Sequence, residues 1–326
     1  MKLMDDIRRR DQLLDWTEQG LLSREQLQRA LVPERPQPAA RHWLAALDRV
    51  LAFYGCLLLA LGVLFFFAFN WEELHRFTKL ALAAAALSGF AGIALLMPRE
   101  SVVGRATLMG AALATGGLLA LIGQTYQTGA DIWQLFAVWA VLSLPWALLS
   151  RSAACWVLFW LVANLALVRY FASTGSWLFG GLHGVSPGLL SLAAFNALLL
   201  VLFECWGGRL LLQPSRLLPR LAGCGALAAL GLGAMIAWWR PGLGHLLLIL
   251  AAIYLVGIPI YRRFRPDLLL LAMQLYSLVA VLTAGLARLL QDIDDFALVW
   301  LLGLFVLLGS AMVSVWLQRC YREDQQ

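Results

Sequence analysis

The sequence predicts an all-α, polytopic integral membrane bundle of about ten transmembrane helices, preceded by a small N-terminal cytoplasmic helical hairpin. Three observations carry that reading. First, 61% of the 326 residues are apolar and only 13% are charged, where a soluble domain carries about a quarter charged residues. The mean hydropathy is +0.77. Second, ten apolar runs are near the roughly 20 residues that span a hydrocarbon core as helix. They cover residues 48–69, 77–97, 105–123, 132–149, 153–171, 188–206, 220–239, 245–261, 268–287 and 296–317. Third, the basic residues alternate in density from loop to loop. With the N-terminus inside, eleven basic residues fall in the inner loops and tail and five in the outer loops, and nine more lie between Lys2 and Arg49. Positive charge collects on the cytoplasmic side, so both termini are expected there and the span count is expected to be even.

The first segment, residues 1–41, differs from the rest. Leu3, Ile7 and Leu14 recur at helical spacing, and Gly20 offers a helix stop. Ser23 and Gln26 have the spacing of a capping box for a second helix. Pro33, Pro36 and Pro38 then form a stiff linker. This hairpin is expected to anchor the topology or to dock a membrane-protein partner. Residues 42–326 form the transmembrane bundle. No apolar stretch of the signal-peptide kind occurs in the first 40 residues.

Several classes are excluded or disfavoured. The net charge of +6 follows from the loop arginines and does not call for nucleic acid. Cys56, Cys155, Cys205, Cys224 and Cys320 are scattered, as are His42, His75, His183 and His245; neither set has metal-ligand spacing, so no metal or other cofactor is expected. No P-loop, G-x-S-x-G, H-E-x-x-H or dinucleotide fingerprint occurs, so no catalytic residue is assigned. No Asp, Glu, Lys or Arg falls in the middle of a span, which disfavours a proton relay. Glu204 is expected to snorkel or to pair with Arg209. The deeper polar residues Asn164, Asn196 and Gln274 are candidate interhelical hydrogen-bond partners, or the lining of a transport path.

The densest polar set lies in two loops expected on the outer face. One loop carries Asn70, Trp71, Glu72, Glu73 and His75. The other carries Gln124, Thr125, Tyr126, Gln127, Thr128 and Asp131. Together, Asn70, Trp71, Glu72, His75, Gln124, Tyr126 and Asp131 form a candidate outer-face site. Carboxylates beside a histidine are able to do acid–base work or to hold a cation. Helix capping explains part of the same set: Asn70 with Glu73, and Asp131 with Gln134, have cap-and-N3 spacing. Trp71, Tyr126 and Trp133 also suit an interfacial aromatic belt. Gln124 and Tyr126 are the members that no cap requires.

The order Trp71-Glu72 after the first span, then Gly123-Gln124-Thr125-Tyr126 before the fourth, resembles the bacterial predicted-membrane-protein family called domain of unknown function two-one-five-seven. The likeness covers about residues 10–150. It implies membrane location and helical architecture but no mechanism, and it suggests that the two loops share one site. A ratio of 23 arginines to 2 lysines among the 25 basic residues is typical of a GC-rich bacterial genome.

The expectation is a multi-pass protein of the bacterial inner membrane, with the lipid bilayer as its surroundings. It is read as a non-enzymatic component of an envelope-associated complex, with a partner held through residues 1–41 or the outer loops. The alternatives are a transporter or flippase for an amphipathic envelope component and, less so, an outer-face membrane transferase.

Overall fold

In the computed structural model, residues 40–69, 75–98, 100–126, 129, 131–173, 185–213, 215–240 and 242–323 are described. Of residues 1–41, expected to form the hairpin and its linker, residues 1–39 lie outside them, and residues 40 and 41 open the first described helix. By internal contacts the chain divides into two units, residues 1–51 and residues 52–326.

Among the described residues there are ten α-helices, one followed by a π turn, and no strand. They are α1 (Ala40–Phe69), α2 (Arg76–Leu96), α3 (Val102–Tyr126), α4 (Ile132–Ser150) and α5 (Ala153–Ser173), then α6 (Val185–Leu210), α7 (Leu217–Ala237), α8 (Gly244–Pro259), α9 (Leu268–Leu289) and α10 (Asp295–Glu323). Every expected span is matched by a helix long and apolar enough to cross a membrane. The protein is an all-α polytopic membrane bundle.

Some boundaries differ from the expectation, for local reasons. Helix α1 starts at Ala40 rather than at residue 48. Once past Pro38 the chain runs through Ala, Leu and Arg with no breaker, and those residues favour helix. The short eighth span is lengthened by a π turn, Ile260–Phe264, so that Gly244–Phe264 reaches 21 residues. The ladder widens directly after Pro259, where Arg265 N–H reaches the Ile260 carbonyl at 2.8 Å. Helix α4 ends on Arg151, which has left-handed backbone (φ 47°). That conformation is uncommon away from glycine. Arg151 carries three contacts: its N–H bonds the Ala147 carbonyl, its carbonyl accepts from Leu212 N–H at 3.0 Å, and its guanidinium donates to the Gly208 carbonyl. These contacts tie the α4–α5 turn to the end of α6.

Helix α7 is the pivot. It packs against α5, α6, α8 and α9, and half of its span is buried. Its small residues permit this, because packing rather than water exclusion joins helices in lipid. A Cβ added at Gly223, Gly225 or Gly233 would meet Leu270, Asn196 or Leu246 at 2.9 Å or less. On α1 the outcome is different: Gly55 and Gly62 face no atom within 4 Å, so that pair is not a close helix contact. Two apolar clusters flank α7. One gathers Leu189, Leu230, Ala234, Leu246 and Leu250. The other gathers Trp156, Leu199, Phe203, Leu218 and Ala222. Helix α10 is the opposite case: its most apolar stretch contains no buried residue, Cys320 near its end is buried, and it packs against α9.

Candidate functional site

Between α1, α3 and α4 lies a groove of about 1050 Å³. It exists because α3 presents Gly116, Gly117, Ala120 and Gly123 on the face opposite α1's Leu57, Ala60 and Leu61. Trp139 forms the α4 wall. Its indole lies over Gly116 and donates to the Ala112 carbonyl at 2.9 Å. The remaining wall is Ile132, Leu135, Phe136 and Val138. Three polar side chains line the groove, Gln124, Asp131 and Gln134, and all belong to the α3–α4 turn or its flanks. No basic residue lines it. An apolar slot with a polar rim at one end suits an amphipathic molecule.

The capping explanation for Asp131 does not hold. Asp131 occupies the N-cap position of α4 with extended backbone, but its carboxylate makes no cap bond. Its Oδ2 instead accepts from the Trp133 indole at 3.3 Å, in an exposed contact. The backbone carbonyl of Asp131, not its side chain, accepts from Gln134 N–H. The carboxylate is thus left at the groove's rim.

The other members of the predicted site are placed as follows. Asn70, Trp71 and Glu72 lie outside the described residues. His75 is the N-cap of α2, and its Nδ1 accepts from Phe77 N–H at 3.4 Å; it is exposed and does not line the groove. Tyr126, the last residue of α3, is exposed and also stands away from the lining.

Residues 14–156 match the family of predicted membrane proteins DUF2157. The match falls where the sequence resembles that family, and it contains every residue that lines the groove, from Leu57 to Trp139. No curated protein and no solved structure matches the chain.

Beyond the DUF2157 region, two of the three intramembrane polar residues, Asn164 and Asn196, are bonded to one another, whereas the Gln274 Oε1 is buried without a hydrogen-bond partner. Asn196, 1% exposed, accepts from the Trp160 indole at 2.7 Å and donates to Asn164 Oδ1 at 2.6 Å and to the Leu192 carbonyl at 2.9 Å. Asn164 donates in turn to the Trp160 carbonyl. The network joins α5 to α6, and Gly225 of α7 closes over it. Gln274 is buried against Gly257 of α8. None of the three lines the groove. Replacing Asn196 with leucine leaves the Trp160 indole and Asn164 without their partner. Interhelical bonds in membranes average about 0.6 kcal/mol each, so a loss of roughly 1–2 kcal/mol is expected. Thermal unfolding in detergent measures it; an unchanged midpoint would mean that the network contributes nothing to stability.

At the opposite end of the bundle, where α6 stops and α7 and α9 start, sits an ionic cluster. Helix α4 defines the polarity, running from Asp131 at the groove rim to Arg151, which is bonded to Leu212 just past α6. Glu204 accepts from Arg216 at 3.0 Å and from Arg265 at 2.6 Å, and not from Arg209 as its position suggests. The bond to Glu204 raises the Arg265 pKa above its ordinary value. Asp267 is almost fully buried. It caps α9 by accepting from Leu269 N–H and Leu270 N–H, at 3.1 and 3.2 Å. It also accepts from Arg220 Nε at 3.1 Å, with Arg216 Nε at 3.4 Å. Sequence reading missed Asp267 because its partners are 47 or more residues distant along the chain. The available signal was an aspartate one residue before an apolar helix, which is N-cap placement.

Proposed function

We propose that this membrane protein is a non-enzymatic component of an envelope-associated complex, and that it holds an amphipathic lipid in the α1–α3–α4 groove. The apolar chain lies along Gly117, Ala120 and Leu135, and the polar head reaches Gln124, Asp131 and Gln134. The observation that carries the reading is the groove itself: a large apolar volume whose polar lining is confined to one end. In this reading the groove opens toward the outer leaflet of a bacterial inner membrane, and both termini are cytoplasmic, following the arginine count. The partner is engaged through residues 1–41 or through the loops of Trp71 and Tyr126.

Two observations weigh against the alternatives. Transport needs polar groups along a path through the bilayer, but Asn164 and Asn196 spend their bonds on each other and on Trp160. A transferase using Glu72, His75 and Asp131 needs them in one cleft, and His75 does not share the groove with Asp131.

Gly123 provides the test. It lines the groove, and a Cβ there meets nothing within 4 Å, so Gly123→Phe fills the slot without disturbing a neighbour. The full chain is purified from native membranes in mild detergent, and bound lipid and protein are identified by mass spectrometry. One lipid class should be enriched over the bulk membrane and fall about five-fold or more in Gly123→Phe, a loss of roughly 1 kcal/mol. Lipid of bulk composition, unchanged by the substitution, would defeat the proposal.

A further inference from the structure

The ionic cluster contains more positive than negative charge, and its arginines are more exposed than its carboxylates. Arg216 sits at the N-cap of α7 and Arg220 one turn later. A helix N-terminus carries roughly half a positive charge, so cations are disfavoured there. Two like charges four residues apart add a further repulsion. Arginine is thus placed twice at a position that local physics opposes. Glu204 and Asp267 offset part of this. Counting Arg216, Arg220 and Arg265 against these two carboxylates leaves one net positive charge.

The hydrogen bonds determine where that charge points. Both carboxylates are buried, at 10% and 1% side-chain exposure, whereas the three arginine side chains are 39–49% exposed. Arg220 bonds Asp267 through Nε, which leaves its two terminal amino groups for another acceptor. Arg265 reaches Glu204 through Nη1, and its Nη2 remains for another. Arg216 spans both acids through Nε and Nη1, which leaves Nη2. The acids therefore hold three guanidinium forks in fixed positions. Pinned forks are well suited to a phosphate, which takes paired N–H donors from arginine. Basic pockets between helices at a membrane surface recognise phosphate headgroups in this way.

We infer that Arg216, Arg220 and Arg265, held by Glu204 and Asp267, form a binding site for a phosphate group at the end of the bundle opposite the groove. The site lies outside the DUF2157 region and does not depend on the lipid reading of the groove. A phospholipid headgroup and a free phosphate share the chemistry that it selects.

The test uses the full chain in dodecyl maltoside, followed by thermal unfolding. It is titrated with dioctanoyl phosphatidylglycerol, with dioctanoyl glycerol, which lacks phosphate, and with inorganic phosphate. A saturable rise in unfolding temperature with phosphatidylglycerol but not with dioctanoyl glycerol is expected. If inorganic phosphate produces the same rise, the natural ligand is a free phosphate; if it does not, the ligand is a headgroup. Arg220→Gln and Arg265→Gln, each of which keeps Arg216 bridging both acids, should raise the half-saturating concentration about ten-fold. Gly123→Phe should respond as the unmodified protein does, which separates this site from the groove. No response to either phosphate compound, or an unaltered response in both arginine variants, overturns the site; should one variant not fold, the other decides.

Discussion

Asp267→Ala is expected to lower stability by about 3 kcal/mol, from a lost cap and a broken buried ion pair. The cap on α9 is worth about 1 kcal/mol of this. The rest comes from leaving Arg216 and Arg220 facing each other at a helix start with one carboxylate fewer. Breaking a buried pair costs roughly 3–5 kcal/mol, but both arginines are more than a third exposed, and water recovers part of that. Asp267→Asn keeps an acceptor for Leu269 and Leu270 N–H while removing the charge, so it should recover about 1 kcal/mol. Unfolding midpoints of the two variants in detergent separate the contributions. Equal losses would mean that the cap is irrelevant; no loss in either would mean that the cluster does not hold α6, α7 and α9 together.

Gly116→Leu is expected to cost a similar amount, about 3 kcal/mol, by overpacking. Its Cβ would lie 2.3 Å from the Trp139 ring, so the indole must leave its place and lose the bond to the Ala112 carbonyl. Overpacking typically costs 1–3 kcal/mol, and the interhelical bond adds roughly 0.6. The displaced indole also enters the groove, so bound lipid should fall together with stability. Gly123→Leu is the control two turns later on the same helix: with open space at its Cβ, it should be neutral or slightly stabilising, because glycine is a poor helix former. If Gly116→Leu unfolds at the same temperature as Gly123→Leu, Trp139 is not the wall of the groove.

The difference between these two glycines marks the limit of sequence reading here. On the sequence both are small residues in an apolar span, and only the position of Trp139, on the next helix, separates them. Gly55 and Gly62 repeat the point, since they too are small residues in an apolar span and a Cβ at either meets nothing within 4 Å. The Asp131–Gln134 pair has capping spacing, yet its carboxylate turns to Trp133 instead. Local spacing shows which bonds are available; the rotamer chosen depends on neighbours that spacing does not contain.

The ten helices themselves were legible, because in lipid each span must satisfy its own backbone within one segment, and length with apolarity suffices to mark it. The resemblance over the first half of the chain was legible too, and residues 14–156 match the family of predicted membrane proteins. The deep polar residues were recognised as interhelical candidates, but the pairing of Asn196 with Asn164 was not readable across 32 residues. Nor was the cluster of Glu204, Arg216, Arg220, Arg265 and Asp267, which is drawn from the ends of three helices and a π turn. The sequence by itself therefore determined the class of molecule and its helices. Tertiary structure alone decided where α1, α3 and α4 leave a groove and which acid holds which arginine, because both depend on how separate helices pack, and in lipid that packing rests on side-chain shape rather than on hydrophobic pattern.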